Sequence, residues 1–121
     1  MDFNTVLNKR LKKIETVLAK KGQEYATQSN RFHNFDVAAR MMNTTRESAL
    51  MGMMAKHWVS VMDMIDTAEF NDELLNPAQI DEKIGDSINY LILLEGMLLE
   101  RVAVNNRCCW NKLKERMGDG A

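Results

Sequence analysis

Glu82 and Asp86 stand four residues apart in the stretch NPAQIDEKIGDSINYLILLEGMLLERVAV, Asn76 to Val104. At that spacing both carboxylates project from one side of a helix, and Asn89 and Tyr90 fall on the same side. Carboxylates paired in this way can hold Mg²⁺ together with the phosphate oxygens of a bound substrate. The ion can then polarise a phosphoryl group and activate water. The groups needed to complete such a site lie upstream, where Lys56, Ser60 and Asp63 share one side of a second helix, with His57 at its margin. If the two helices run antiparallel across a short loop, these sets meet. Asp63, Glu82 and Asp86 are then the expected metal ligands. Lys56, His57, Ser60, Asn89 and Tyr90 would line the pocket. The purely structural alternative is a buried network in which Lys56 neutralises Asp86 or Glu82.

A second group of chemistry-bearing side chains lies in QEYATQSNRFHNF, residues 23–35, which has no sustained period. Loops of this composition, here with Glu24 and Tyr25 among them, often line sites. Arg31 and His33 can bind phosphate, and Phe32 or Phe35 can stack on a base. Equally, the two phenylalanines can pin the loop to the core while Arg31 bridges to a carboxylate.

The elements that would position these groups are helices. Phe3, Leu7, Leu11, Ile14 and Leu18 mark one face of a helix over residues 4–21, stopped by Gly22. Asp36 is placed to cap a short helix, Val37 to Met42. Thr44 and Glu47 form a capping box for a helix running from near Thr45 to about Asp66, and Thr67–Leu75 reads as a loop or frayed extension. Asn76 and Pro77 then start the long helix, and a short helix from Arg107 to about Met117 follows Asn105 and Asn106. In the long helix the stripe Ile80, Ile84, Ile88, Leu91, Leu98 and Val102 lies opposite Asp86, while Leu93 and Met97 share the Asp86 face. Its second half is apolar nearly all round, as in a buried helix. A small monomer cannot cover that much apolar face, so a homodimer or higher homo-oligomer is expected, with Glu95 meeting an arginine across the interface. The ten methionines suit an adaptable core or interface better than any sulfur chemistry.

Composition narrows the alternatives. A chain of 121 residues with 45% hydrophobic content makes one helical domain, 1–121. Its single proline and few β-branched runs argue against a sheet. The net charge of −1 conceals basic ends and an acidic middle. Residues 1–46 carry nine Lys/Arg against four Asp/Glu, residues 47–100 two against eleven, and residues 101–121 five against two. These blocks can pair with one another or remain solvated faces. The chain is not basic enough for general nucleic-acid binding. Cys108 and Cys109 are adjacent and build no disulfide framework or zinc spacing, which suits a reducing cytoplasm. The longest apolar run, Tyr90 to Leu94, is too short to span a membrane, so no membrane partner is expected.

Three segments carry a resemblance: KHWVSVMD (Lys56–Asp63), DEKIGDSINYLILLE (Asp81–Glu95) and KKGQEYATQSNRFHNF upstream of them. From about Lys20 to Glu100 the chain resembles small phage-borne proteins related to the MazG-like, all-α nucleoside triphosphate pyrophosphatases. The resemblance implies a helical bundle with two long antiparallel core helices that assembles as dimers or tetramers. It also implies Mg²⁺ held by an EExxE helix and an ExxD helix, with cleavage between the α- and β-phosphates. Asp86 matches the ExxD aspartate. Lys83 stands where the glutamate would be, with Glu82 one position off, and the EExxE helix has no counterpart. Lys56 and His57 occupy the facing helix instead. Three functions follow as expectations, all in the cytoplasm (of an infected host cell if the chain is phage-borne). They are a Mg²⁺-dependent pyrophosphatase, a non-catalytic binder that sequesters an immune signalling nucleotide, and a helical inhibitor of a host defence protein.

Overall fold

A computed structural model describes residues 1–21 and 30–118. Helix α1 spans Phe3–Ile14 and winds on through a π-helical segment, Glu15–Lys21. Helix α2 spans His33–Met42, α3 spans Arg46–Asn71, and α4 spans Pro77–Met117, with a 3₁₀ turn at Asp72–Leu74 before it. Among the described residues there is no strand, and no helix is long and apolar enough to cross a membrane. The expected stop at Gly22, together with Glu24 and Tyr25, lies outside the described residues.

Side-chain caps set most of the helix starts. Asp2 accepts the Thr5 N–H at 2.8 Å. Asn76 accepts those of Ala78 and Gln79 at 2.9 and 3.3 Å, with Pro77 in the position that needs no donor. For α3 the cap is Thr45, which accepts the Ser48 N–H at 3.2 Å, one residue later than the Thr44 box predicts. The reason is tertiary. Glu47, the expected return partner of that box, instead accepts a two-pronged hydrogen bond from Arg101 at 2.5 and 3.0 Å. Asn43 adopts a left-handed conformation (φ 52°) that turns the chain from α2 into α3, a state asparagine tolerates better than most residues.

Three predicted boundaries move. The short helix begins at His33 rather than Val37. Asp36 is therefore inside its first turn, where it accepts from Asn30 Nδ2 at 2.6 Å instead of capping. The predicted loop after Asp66 is helical as far as Asn71 and 3₁₀ beyond. The predicted break at Asn105–Asn106 is absent, and α4 runs unbroken for 41 residues, about 60 Å. Two asparagines cost a helix at most about 1.5 kcal/mol, and neither removes a backbone N–H as proline would.

Helices α3 and α4 are antiparallel. Arg46 at the start of α3 meets Glu100 at 2.9 Å, Glu47 meets Arg101, and His57 in mid-helix meets Asp86. Between them lies a small core of the fully buried Leu50, Met54 and Met97, against which Phe32, Phe35, Tyr90, Leu93 and Leu94 pack. Phe32 fits because residue 96 has no side chain. A Cβ there would stand 3.2 Å from the ring, and the Arg46 guanidinium covers the same ring at 4.9 Å. Helix α1 docks on the start of α4 through Arg10 and Lys13, which both reach Asp81. Of its predicted apolar stripe, Phe3, Leu7 and Leu11 stay exposed, while Ile14 and Leu18 are half-buried. The all-round burial predicted for α4 is likewise incomplete in the single chain, because only one side of the helix meets the core.

The Arg101 hydrogen bond holds the Glu47 carboxyl down at about 2, well below its ordinary 4.5, against the opposing effect of burial. A carboxylate whose folded pKa is depressed adds stability above its unfolded pKa and loses it as pH falls toward the folded value. The melting temperature is therefore expected to fall between about pH 5 and pH 2. Glu47→Gln should lower it at pH 7 and flatten that slope, as followed by circular dichroism.

A cleft between the first and last helices

The cleft starts from a glycine. Gly85 lies mid-helix in α4, four residues after Asp81 and four before Asn89. Its bare backbone leaves a notch into which Arg10 of α1 lays its guanidinium, and a Cβ at residue 85 would collide with Arg10 Nη1. Arg10 Nη2 donates to the Asp81 carboxylate at 2.7 Å and to the Asp81 carbonyl at 3.0 Å. Lys13 binds the other carboxylate oxygen. The Lys13 hydrogen bond, then the charges of Lys13 and Arg10, hold the Asp81 carboxyl below its ordinary range despite partial burial.

Around this anchor α1 and α4 enclose an open cleft of about 360 Å³. Arg10, Lys12, Lys13, Thr16 and Val17 form one wall, and Asp81, Glu82, Gly85, Asp86 and Asn89 the other. One side is cationic and the other carries carboxylates and a carboxamide. Such a pairing of walls suits a phosphate ligand, alone or with a divalent cation.

Behind the α4 wall the polar groups continue into the α3–α4 interface. Asp86 Oδ2 is 3.7 Å from His57 Nδ1, and the His57 side chain is 9% exposed against 40% for Asp86. The His57 ring lies on Tyr90 at 5.2 Å between centroids, and Tyr90 meets Phe35 edge-on at 6.3 Å. Burial, then the charge of Asp86, raises the Tyr90 pKa. Two buried atoms here, His57 Nδ1 and Asn89 Oδ1, lack a hydrogen-bond partner among the described residues. Leaving such groups unsatisfied costs about 1–3 kcal/mol each, so a ligand or solvent reaching them from the Asp86 side would recover part of that loss.

Of the residues picked out in the sequence, His57, Asp86, Asn89 and Tyr90 come together, and Glu82 lines the cleft beside Asp86. Lys56 and Asp63 are exposed on α3, and Ser60 donates to the Lys56 carbonyl at 3.1 Å. Among the described residues no three His, Cys, Asp or Glu side chains gather as a metal-binding group, so Asp63 does not complete one with Glu82 and Asp86. Of the three expected metal ligands, Glu82 and Asp86 line the cleft. Arg31 bonds the Leu18 carbonyl rather than a carboxylate. Phe32 is fixed in the core, and His33 opens α2, half-buried.

Sequence reasoning missed the whole α1 wall, since nothing local to Arg10, Lys12 and Lys13 marks them as part of a site. The available signal was Gly85, a residue without a side chain at helical spacing from Asp81, Glu82 and Asn89. No family model, curated protein or solved structure matches this chain.

Proposed function

We propose that this chain binds a nucleotide or nucleotide-derived phosphate compound in the α1–α4 cleft. The observation that carries the reading is the Arg10 guanidinium seated at Gly85, with Lys12 and Lys13 beside it and Glu82, Asp86 and Asn89 opposite. The ligand's phosphates lie against the three cations. Glu82 and Asp86, which line the cleft, hold Mg²⁺ on the phosphate oxygens. Asn89 supplies a carboxamide for a sugar or base edge. With Asp63 apart from the pair, the donor set favours capture over rapid hydrolysis, as in sequestration of a signalling nucleotide. A MazG-like pyrophosphatase remains the enzymatic form of the same proposal. The working unit is a homo-oligomer, because each helix carries exposed apolar side chains that a second copy can cover. That exposure also favours the second reading, a helical inhibitor of a defence protein.

Calorimetric titration with Mg²⁺–ATP, ATP without metal, and inorganic pyrophosphate tests the proposal. Saturable binding with a dissociation constant in the micromolar range is expected, tighter with Mg²⁺. Chromatography of the recovered ligand then separates capture (intact ATP) from hydrolysis (AMP and pyrophosphate). No heat with any of the three probes would sink the nucleotide reading and leave the inhibitor reading.

A further inference from the structure

Helix α4 carries two apolar faces: α3 packs on one, and α1 meets the start of the other through Asp81. Taking Met97 as zero and turning 100° per residue, Asp86, Tyr90, Leu93 and Arg101 fall within about 40° of it. This is the side packed on α3. On the opposite side, Ile84 and Ile88 near α1 are half-buried, and beyond them Ile92, Leu99, Val102, Asn106, Leu113 and Met117 fall within about 40° of its centre. From Ile92 onward every apolar member of that set is at least 40% exposed. The first turn of α3 is level with Glu100 and Arg101, so α4 continues past the start of α3.

We propose that this second face is the seam of an antiparallel homodimer, α4 against α4 of a second copy, which deepens the oligomeric reading above and rests on it. Area favours a partner of this size. The chain exposes 9380 Å², whereas a compact chain of its mass exposes about 6,700 Å². The excess exceeds the roughly 800 Å² per partner that a stable interface buries. Charge fixes the partner and its direction. Residues 84–100 hold three acids, Asp86, Glu95 and Glu100, and no Lys or Arg; residues 101–117 hold five Lys/Arg and one acid, Glu115. A parallel pair sets like against like and stacks Glu95 on its own copy within the apolar stripe. An antiparallel pair centred near Val104 sets the acidic half of each helix along the basic half of the other. Glu95 then reaches Arg116 of the second copy, and the seam places Asn106 near its middle, where a polar residue specifies register.

Sedimentation across a concentration series should show a dimer for the native chain. Leu99→Glu should weaken it at least about 100-fold in dissociation constant, with helicity retained because Leu99 is exposed in the protomer. Val102→Lys provides a second variant should that one misfold. Glu95→Arg should weaken the dimer, and adding Arg116→Glu should restore it. Spin labels at Glu115→Cys, with Cys108 and Cys109 changed to serine, should lie about 40 Å apart, against about 25 Å in a parallel pair. A monomer at every concentration would overturn both the seam and the oligomeric reading. A dimer indifferent to Leu99→Glu and Val102→Lys, or a label distance near the shorter value, would overturn the seam alone.

Discussion

Gly85→Ala is expected to uncouple ligand binding from folding. Alanine is the better helix former by about 1 kcal/mol, yet its Cβ occupies the space where the Arg10 guanidinium lies. The obstacle is the far end of a flexible side chain, so Arg10 swings out and the helix stays intact. What is lost is a seated cation with two hydrogen bonds to Asp81. Asp81 is partly exposed and keeps its pairing with Lys13, so solvent screening holds the stability loss to about 1 kcal/mol. The melting midpoint should therefore move little, in either direction, while affinity for Mg²⁺–ATP falls about 100-fold. Parallel calorimetry and thermal melts would check this. Unchanged affinity in a folded Gly85→Ala variant would remove Arg10 and the notch from the account. Arg10→Ala should reproduce the binding loss but, lacking any gain in helix propensity, with a lower melting midpoint.

Leu50→Ala is expected to give the largest loss of stability. Leu50, Met54 and Met97 are the fully buried large side chains among the described residues, and the remaining core members are only partly covered. Truncating a buried leucine costs about 2–5 kcal/mol, a large share of the 5–15 kcal/mol that holds a typical domain together. Urea unfolding should show a matching drop in midpoint with an unchanged slope. A loss below about 1 kcal/mol would mean that Leu50 sits in a cavity able to collapse, or that the oligomer rather than this core holds the chain together. Repeating the unfolding at two protein concentrations distinguishes these outcomes.

Local signals in the sequence carry the helices well, because caps and periodicity are local physics. Asn76 and Pro77 start α4 where their types say they should, and the antiparallel pairing of α3 and α4 follows from a short connection between two amphipathic stretches. The failures are tertiary. Thr45 replaces Thr44 as cap because Arg101, 54 residues away, claims Glu47. Asn105 and Asn106 suggest a break, but a weak helix former inside a long run costs too little to end it. Of the site, the meeting of His57 with Asp86 and Tyr90 is legible from helical period once the two helices are paired. The cleft wall on α1 is not, since Arg10 and Asp81 are 71 residues apart and a surface cation's partner leaves no mark on its neighbours. Phe32 and Arg31 illustrate the opposite error. Both are types that serve ligands, and the structure spends them on the core and on the Leu18 carbonyl.

The most direct test of the cleft is a titration of the ¹⁵N-labelled chain with Mg²⁺–ATP, following backbone and arginine side-chain resonances. The expected shifts concentrate at Arg10, Lys13, Gly85, Asp86 and Asn89, with a smaller change at His57 behind them, and saturate together. No shifts at millimolar ligand, or shifts confined to the basic end of α4 from Arg107 to Arg116, would contradict a phosphate site between the first and last helices.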